Sequence, residues 1–254
     1  MRIIILSALP QEYAPLKKRF QAFRAVCKRP YRKFALNLAG KEIGLIETGM
    51  GDRAVREALR SEPAADLLLF AGFAGALHPD LCTGSVCFAA SARRIETGVS
   101  YAFRFSHELS DFLAKQGVQP VVALSADGPK DKRALSALAD GAPAVLDMET
   151  ATVAEEALLR HIPFLCFRAV SDAIDHELGF DLQDICDDQW RVKPLRVIAT
   201  ILKKPSTLMA FYRLWHNSSL AAKNLCDPVA AFLNLPAAQL ERMAAGIGIE
   251  IERD

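Results

Sequence analysis

Between Ala144 and Asp175 the chain reads AVLDMETATVAEEALLRHIPFLCFRAVSDAID, and no other stretch constrains the fold as much. Ala144-Val145-Leu146 is a short apolar run with strand character, Thr150 to Arg160 carries helical spacing, and Pro163 to Val170 is a second buried strand. Strand, helix, strand predicts a crossover unit with its two strands parallel. Met148-Glu149 and Ser171-Asp172 would then share one rim of the sheet, where open α/β sheets take ligands. Glu149 and Asp172 are thereby expected to face one pocket.

The flanking sequence alternates in the same way. Ile3 to Leu6 is a β-branched apolar run, and Ser7-Ala8-Leu9-Pro10 leads into a helix bearing Glu12, Leu16 and Phe20. Phe34 to Leu38 and Ile43 to Glu47 read as a hairpin across Ala39-Gly40-Lys41-Glu42. Thr48-Gly49-Met50-Gly51 opens a helix from Asp52 to Arg60, and the strand Leu67 to Ala71 is expected to close at Gly72-Phe73-Ala74-Gly75. Gly84 to Ala90 and Val121 to Ser125 are further strands, with an exposed helix from Lys130 to Ala139. Mixed β and α with no internal repeat predicts a three-layer α/β/α fold around a central mixed sheet. Beyond Asp184 the pattern turns helical: Leu195 to Leu202, then Thr207 to about Leu225, then a tail from Ala237 with a short helix and an edge strand. The division expected is a catalytic domain over 1–183 and a helical extension over 184–254 packed on it.

Composition narrows the function classes. With 31 basic and 30 acidic side chains among 254 residues there is no global field to recruit nucleic acid. The six cysteines form no CxxC pair, as expected of a reducing cytoplasm. No apolar run reaches the roughly 18 residues that cross a bilayer. The histidines lack metal-ligand spacing, so neither a metal nor a redox cofactor is expected. Thr48-Gly49-Met50-Gly51 lacks the third glycine and the later acid of a dinucleotide fingerprint. The acidic group Glu177, Asp181, Asp184, Asp187 and Asp188 reads as a solvated loop, and the basic group Lys28, Arg29, Arg32 and Lys33 as a solvated hairpin entry.

Taken together, Ser7-Ala8-Leu9-Pro10-Gln11-Glu12, Thr48-Gly49-Met50-Gly51, Ala71-Gly72-Phe73-Ala74-Gly75-Ala76-Leu77, and Asp147-Met148-Glu149-Thr150-Ala151 with Arg168-Ala169-Val170-Ser171-Asp172 stand in the order of a known family. The chain resembles the nucleoside phosphorylase and nucleosidase family over residues 1 to about 180, most closely its 5'-methylthioadenosine/S-adenosylhomocysteine nucleosidase branch. The resemblance implies cleavage of the N-glycosidic bond of an adenosine-type purine nucleoside. Asp172 would be the general acid that protonates N7 of the base, and Glu12 would activate water. Met148 and Glu149 would hold the ribose, with Gly72, Phe73, Ser171 and Arg168 on the substrate-binding side. It also implies a homo-oligomer and no cofactor. By itself Asp172, with Ser171, reads equally well as a helix N-cap, and Glu149 and Glu12 as first-turn acids. Hydroxyl recognition needs an ionised acceptor whereas acid catalysis needs a raised pKa, so Glu149 and Asp172 are expected in different settings, Asp172 in the apolar one.

Four departures bear on the reaction and the substrate. Phosphorylases of the family bind phosphate with glycine and arginine after the first strand, where this chain has a carboxylate, Glu12, which repels phosphate and suits water. A hydrolase is expected, with a phosphate-dependent phosphorylase as the alternative. Phe73 stands where the nucleosidases commonly carry serine, and Gly128-Pro129 where an aromatic would stack on the base, so a catalytically silent nucleoside-binding protein is the non-enzymatic rival. The segment from Asp184 to Leu225 resembles that of hopanoid-associated phosphorylase-like proteins, which implies an enlarged apolar pocket for a lipid-like 5'-substituent. Its Leu208, Phe211, Tyr212, Leu214 and Trp215 fit a helix on the domain's own core, a flap over a greasy ligand, or a subunit interface.

Overall fold

In the computed structural model, residues 1–60, 62–128, 130–175, 184, 194–205 and 207–252 are described. The elements in chain order are β1 (Arg2–Ser7), α1 (Pro10–Arg19), β2 (Arg24–Cys27), β3 (Arg32–Leu38), β4 (Lys41–Glu47), α2 (Asp52–Arg60), β5 (Leu67–Ala76), β6 (Val86–Arg94), β7 (Ser100–Arg104), α3 (His107–Lys115), β8 (Gln119–Ser125), α4 (Lys132–Ser136), β9 (Ala144–Asp147), α5 (Thr150–Leu159), β10 (Phe164–Asp172), α6 (Pro194–Lys203), α7 (Thr207–Leu233), α8 (Ala237–Ala245) and β11 (Gly248–Glu252).

The expected three layers follow from period-two burial along the central strands. Ile3 and Ile5 of β1, Leu67, Leu69 and Ala71 of β5, and Leu165, Phe167 and Ala169 of β10 point into one apolar cluster with α1, α3, α7 and α8. Ile4 and Leu6, Leu68 and Phe70, and Phe164, Cys166 and Val170 point the other way, onto α2 and α5. Strands buried on both faces read as continuous apolar runs, and for that reason they were legible.

The described strands form one mixed sheet in the order β11-β7-β6-β8-β9-β5-β1-β4-β3-β2, with β10 joining β5 to β6. Because β10 pairs with both, the strands β5, β10, β6, β8 and β9 close into a ring. This corrects the expected crossover unit. β10 runs parallel to β5 while β9 runs antiparallel to it, so β9 and β10 are not parallel; their carboxyl ends nevertheless meet at Gly75 of β5, which faces Leu146 on one side and Asp172 on the other. A second correction concerns Gly72-Phe73-Ala74-Gly75: β5 does not turn there but continues to Ala76. Strands β2 and β7 were not expected. The hairpin turn is tighter than its sequence suggested, with Ala39 and Gly40 both at positive φ between β3 and β4.

α7 runs eight residues past the expected Leu225, through Pro228, and divides into two halves. Its second half is core: Ala221, Ala222, Leu225, Val229, Ala230, Phe232 and Leu233 are buried, and the Phe232 ring meets Phe112 of α3 and Phe167 of β10. Beyond its end, buried Lys41 donates from Nζ to the Leu235 carbonyl at 2.6 Å, which ties the hairpin to the helix. Its first half packs differently: Leu208, Met209, Tyr212 and Trp215 are all more than half exposed.

Candidate active site

A gap in strand pairing prepares the site. On one edge β5 is covered by β10 from Leu68 to Gly75. On the other, β1 pairs only as far as Phe70, and β9 begins at Gly75. Ala71 to Ala74 therefore lack a neighbouring strand on that edge, and buried peptide groups must find other partners. Ser7 Oγ donates to the Ala71 carbonyl at 2.6 Å. The Phe73 N–H donates to Glu12 Oε1 at 2.9 Å, and Arg168 Nη1 donates to the Phe73 carbonyl at 3.3 Å. What converges here follows from the end of β1: the chain turns at Leu9-Pro10, and the first turn of α1 projects Glu12 into the gap. Its second oxygen, Oε2, accepts the Leu9 N–H at 2.9 Å.

Gly72 is needed for room rather than for its torsions. A β-carbon there would stand 2.5 Å from Arg168 Nη1 and 3.0 Å from Glu12 Oε1. The Arg168 guanidinium lies under this strand, fully buried and 4.0 Å over the Phe70 ring. It is paired with Asp147 at 2.6 Å and lies 3.7 Å from Glu149 Oε2. Burial works against its charge, but Asp147, Glu149 and Glu12 outweigh that and keep it protonated. Asp147 in turn accepts Ser125 Oγ and the N–H groups of Glu149 and Thr150, so the acid also holds the start of α5.

Glu149 precedes α5 and is buried. Its Oε1 accepts the Gly51 N–H at 2.8 Å. Gly51 sits at φ +87°, where a side chain would be strained, so the glycine pair serves to aim an amide at this carboxylate. Burial pushes Glu149 up to about 7, opposed by Arg168 and reinforced by Asp147 and Glu12. Burial also raises Glu12, opposed by the amides of Leu9 and Phe73 and by Arg168. Two buried acids close enough to repel thus share one arginine.

Asp172 stands apart from this group. A one-residue register shift in β10 between Val170 and Asp172 brings it opposite Gly75 of β5, whereas Arg168 lies opposite Gly72. Its Oδ1 accepts Ser171 Oγ at 2.7 Å. Its Oδ2 is ion-paired with Lys132 of α4, and Lys132 Nζ also donates to the Ala173 carbonyl at 2.7 Å. The apolar setting expected for Asp172 is absent, since the carboxylate is 20% exposed and faces an ammonium. It is Glu149, expected as the ionised acceptor, that burial raises.

The sequence from residue 2 to residue 203 matches the phosphorylase superfamily. The chain belongs to that superfamily. Known structures share the fold at low identity. The 5'-methylthioadenosine/S-adenosylhomocysteine nucleosidase of S. pneumoniae, solved with a transition-state inhibitor, is 17% identical with a TM-score of 0.68, over 92% of this chain and 99% of that one. The corresponding nucleosidase of Neisseria meningitidis is 18% identical with a TM-score of 0.64, over 91% and 99%. The futalosine hydrolase of Helicobacter pylori is 18% identical with a TM-score of 0.65, over 91% and 98%. The expected family is met by the sequence match, and the expected fold by these structures.

Of the residues singled out from sequence, Glu12, Glu149, Arg168, Gly72 and Phe73 come together, Ser171 and Asp172 lie at the end of β10 near Gly75, and Met148 is half-buried beside Glu149. Phe73 contributes its backbone to Glu12 and Arg168, and its half-buried side chain packs on the core beneath α7. Asp147, Thr150, Ser125 and Lys132 carried no expected role. An aspartate three residues before Thr150 is a helix-start signal that could have pointed to Asp147. Nothing local points from Lys132 to Asp172, forty residues away. Pro129, Glu177, Asp181, Asp187 and Asp188 lie outside the described residues.

Proposed function

We propose that the protein hydrolyses the N-glycosidic bond of an adenosine-type purine nucleoside. The observation that carries this reading is the convergence of Glu12, Glu149 and Arg168 beside Gly72 on the unpaired edge of β5, with Asp172 of β10 opposite Gly75, three residues farther along β5. Both Glu12 oxygens are fixed by backbone N–H groups, so a lone pair is presented in one direction, as a base that orients water requires. Glu149, when ionised, is a two-oxygen acceptor suited to vicinal ribose hydroxyls, with Met148 against the sugar. Two carboxylates near the sugar also favour the cationic character that develops at C1' as the base departs.

Asp172 is the group assigned to N7. Ser171 fixes one of its oxygens, and the Lys132 ammonium in contact with the other is a source of the proton that the leaving base takes up. Water then adds to C1' on the Glu12 side, giving free base and free sugar. Hydrolysis is favoured over phosphorolysis because Arg168 is enclosed by Asp147, Thr150 and the Phe73 carbonyl, leaving Glu12 as the group turned to a nucleophile. The test is incubation with adenosine and 5'-substituted adenosines, with and without phosphate. Free adenine and free sugar at equal rates in both supports the reading; a requirement for phosphate, with sugar 1-phosphate as product, overturns the hydrolytic step. Absence of base release from every purine nucleoside overturns the whole assignment.

A further inference from the structure

The first half of α7 turns a continuous apolar stripe to solvent. Leu208, Tyr212 and Trp215 recur at intervals of four and three and lie on one face, with Met209 beside them. Their exposures are 59%, 58%, 65% and 60%. The Tyr212 ring touches Trp215 and His216 at centroid distances of 6.3 Å, so the aromatics stack on one another in the open rather than on the core. The same helix buries the apolar face of its second half in the core, so the outward half is not the remnant of a loosely packed element.

Charge identifies what such a face would meet. From Arg191 to Cys226 the sequence holds seven lysines and arginines and no aspartate or glutamate, in a chain whose overall charge is only +1. Lys203 and Lys204 sit at the turn into α7, Arg213 between Tyr212 and Trp215, and Lys223 two turns on, all exposed. We propose that this face is a docking surface for an anionic lipid bilayer, with α7 lying in the interface, Tyr212 and Trp215 at headgroup depth and the lysines on lipid phosphates. A helix with aromatic and aliphatic residues on one side and only cations flanking them has the composition of an interfacial element. A second copy of the chain fits less well. A two-fold contact brings each face against itself, and here that sets cation against cation, while Asp227, the acid of this helix, is already paired with Arg19.

The experiment is flotation of the full chain with phosphatidylcholine vesicles and with vesicles containing phosphatidylglycerol, at low and high salt. A Trp190→Phe variant, in which Trp215 is the sole tryptophan, reports by fluorescence. Flotation with the anionic vesicles alone, weakened by salt and accompanied by a blue shift of Trp215, is expected. Lys203→Glu with Lys204→Glu should weaken it by about tenfold or more, and Leu208→Ser with Trp215→Ser should abolish it, both variants keeping wild-type circular dichroism. Failure to float with anionic vesicles overturns the proposal. So does a concentration-dependent dimer that the Leu208→Ser, Trp215→Ser variant dissociates, because the face is then an interface between copies.

Discussion

Replacing Glu149 with glutamine offers a direct reading of the buried charge cluster. Burial raises the Glu149 carboxyl from 4.5 to about 7 in the folded chain. In the unfolded chain it titrates near its ordinary value, so between about pH 4.5 and 7 the folded state holds a proton that the unfolded state has released. Its contribution is therefore present at low pH and is lost as pH rises through that window. At about 1.4 kcal/mol per pH decade the loss amounts to about 3 kcal/mol. Glutamine keeps the size and the acceptor for the Gly51 N–H but cannot ionise. Urea unfolding of wild type and Glu149→Gln at pH 5, 6, 7 and 8 isolates the effect: the stability of the wild type relative to the variant should fall by about 3 kcal/mol from pH 5 to pH 8. Glu12 is also raised by burial and titrates in both proteins, so the difference reports Glu149 together with its repulsion of Glu12. A difference that stays flat over this range refutes the idea that Glu149 resists ionisation in place.

Arg168→Met removes the one cation that, among the described residues, faces Asp147 and Glu149 in the buried cluster, and should cost about 3 to 5 kcal/mol in denaturant unfolding, less at acidic pH where the stranded acids protonate. Asp172→Asn should lower the rate of base release by about 10²-fold or more with little change in stability, as read by chromatography of free adenine. Retention of full base release by that variant defeats the acid assignment. Gly72→Ala drives a methyl against Arg168 Nη1 and Glu12 Oε1 and should destabilise by about 1 to 3 kcal/mol, measured as a shift in the urea midpoint.

The elements most legible in the sequence were those whose cause is local. β1, the β3–β4 hairpin, α2 and α5 follow from contiguous apolar runs, a short turn carrying Gly40 and the residues at helix starts. The relative direction of β9 and β10 was not legible, because apolar periodicity does not report which strand lies alongside, and here β5 intervenes between the two. Gly72 and Gly75 were misread as a turn, since a glycine kept for clearance looks the same in sequence as one kept for a positive φ. Glu12, Glu149 and Arg168 could be named from motif order, but their electrostatic settings could not. Those depend on Lys132 meeting Asp172 from α4 and on Arg168 being enclosed by acids drawn from α1, β9 and the start of α5.

The two chemical ends of the site are mounted on a single extended backbone. Gly72 adjoins Glu12 and Arg168, Gly75 adjoins Asp172 and Lys132, and three residues of strand span about 10 Å. A pleated chain can neither be stretched nor shortened without losing register with β10, so this length acts as a fixed gauge. Side-chain replacement can retune either end, but a molecule bridging both must match a dimension that only an insertion or deletion within β5 could alter.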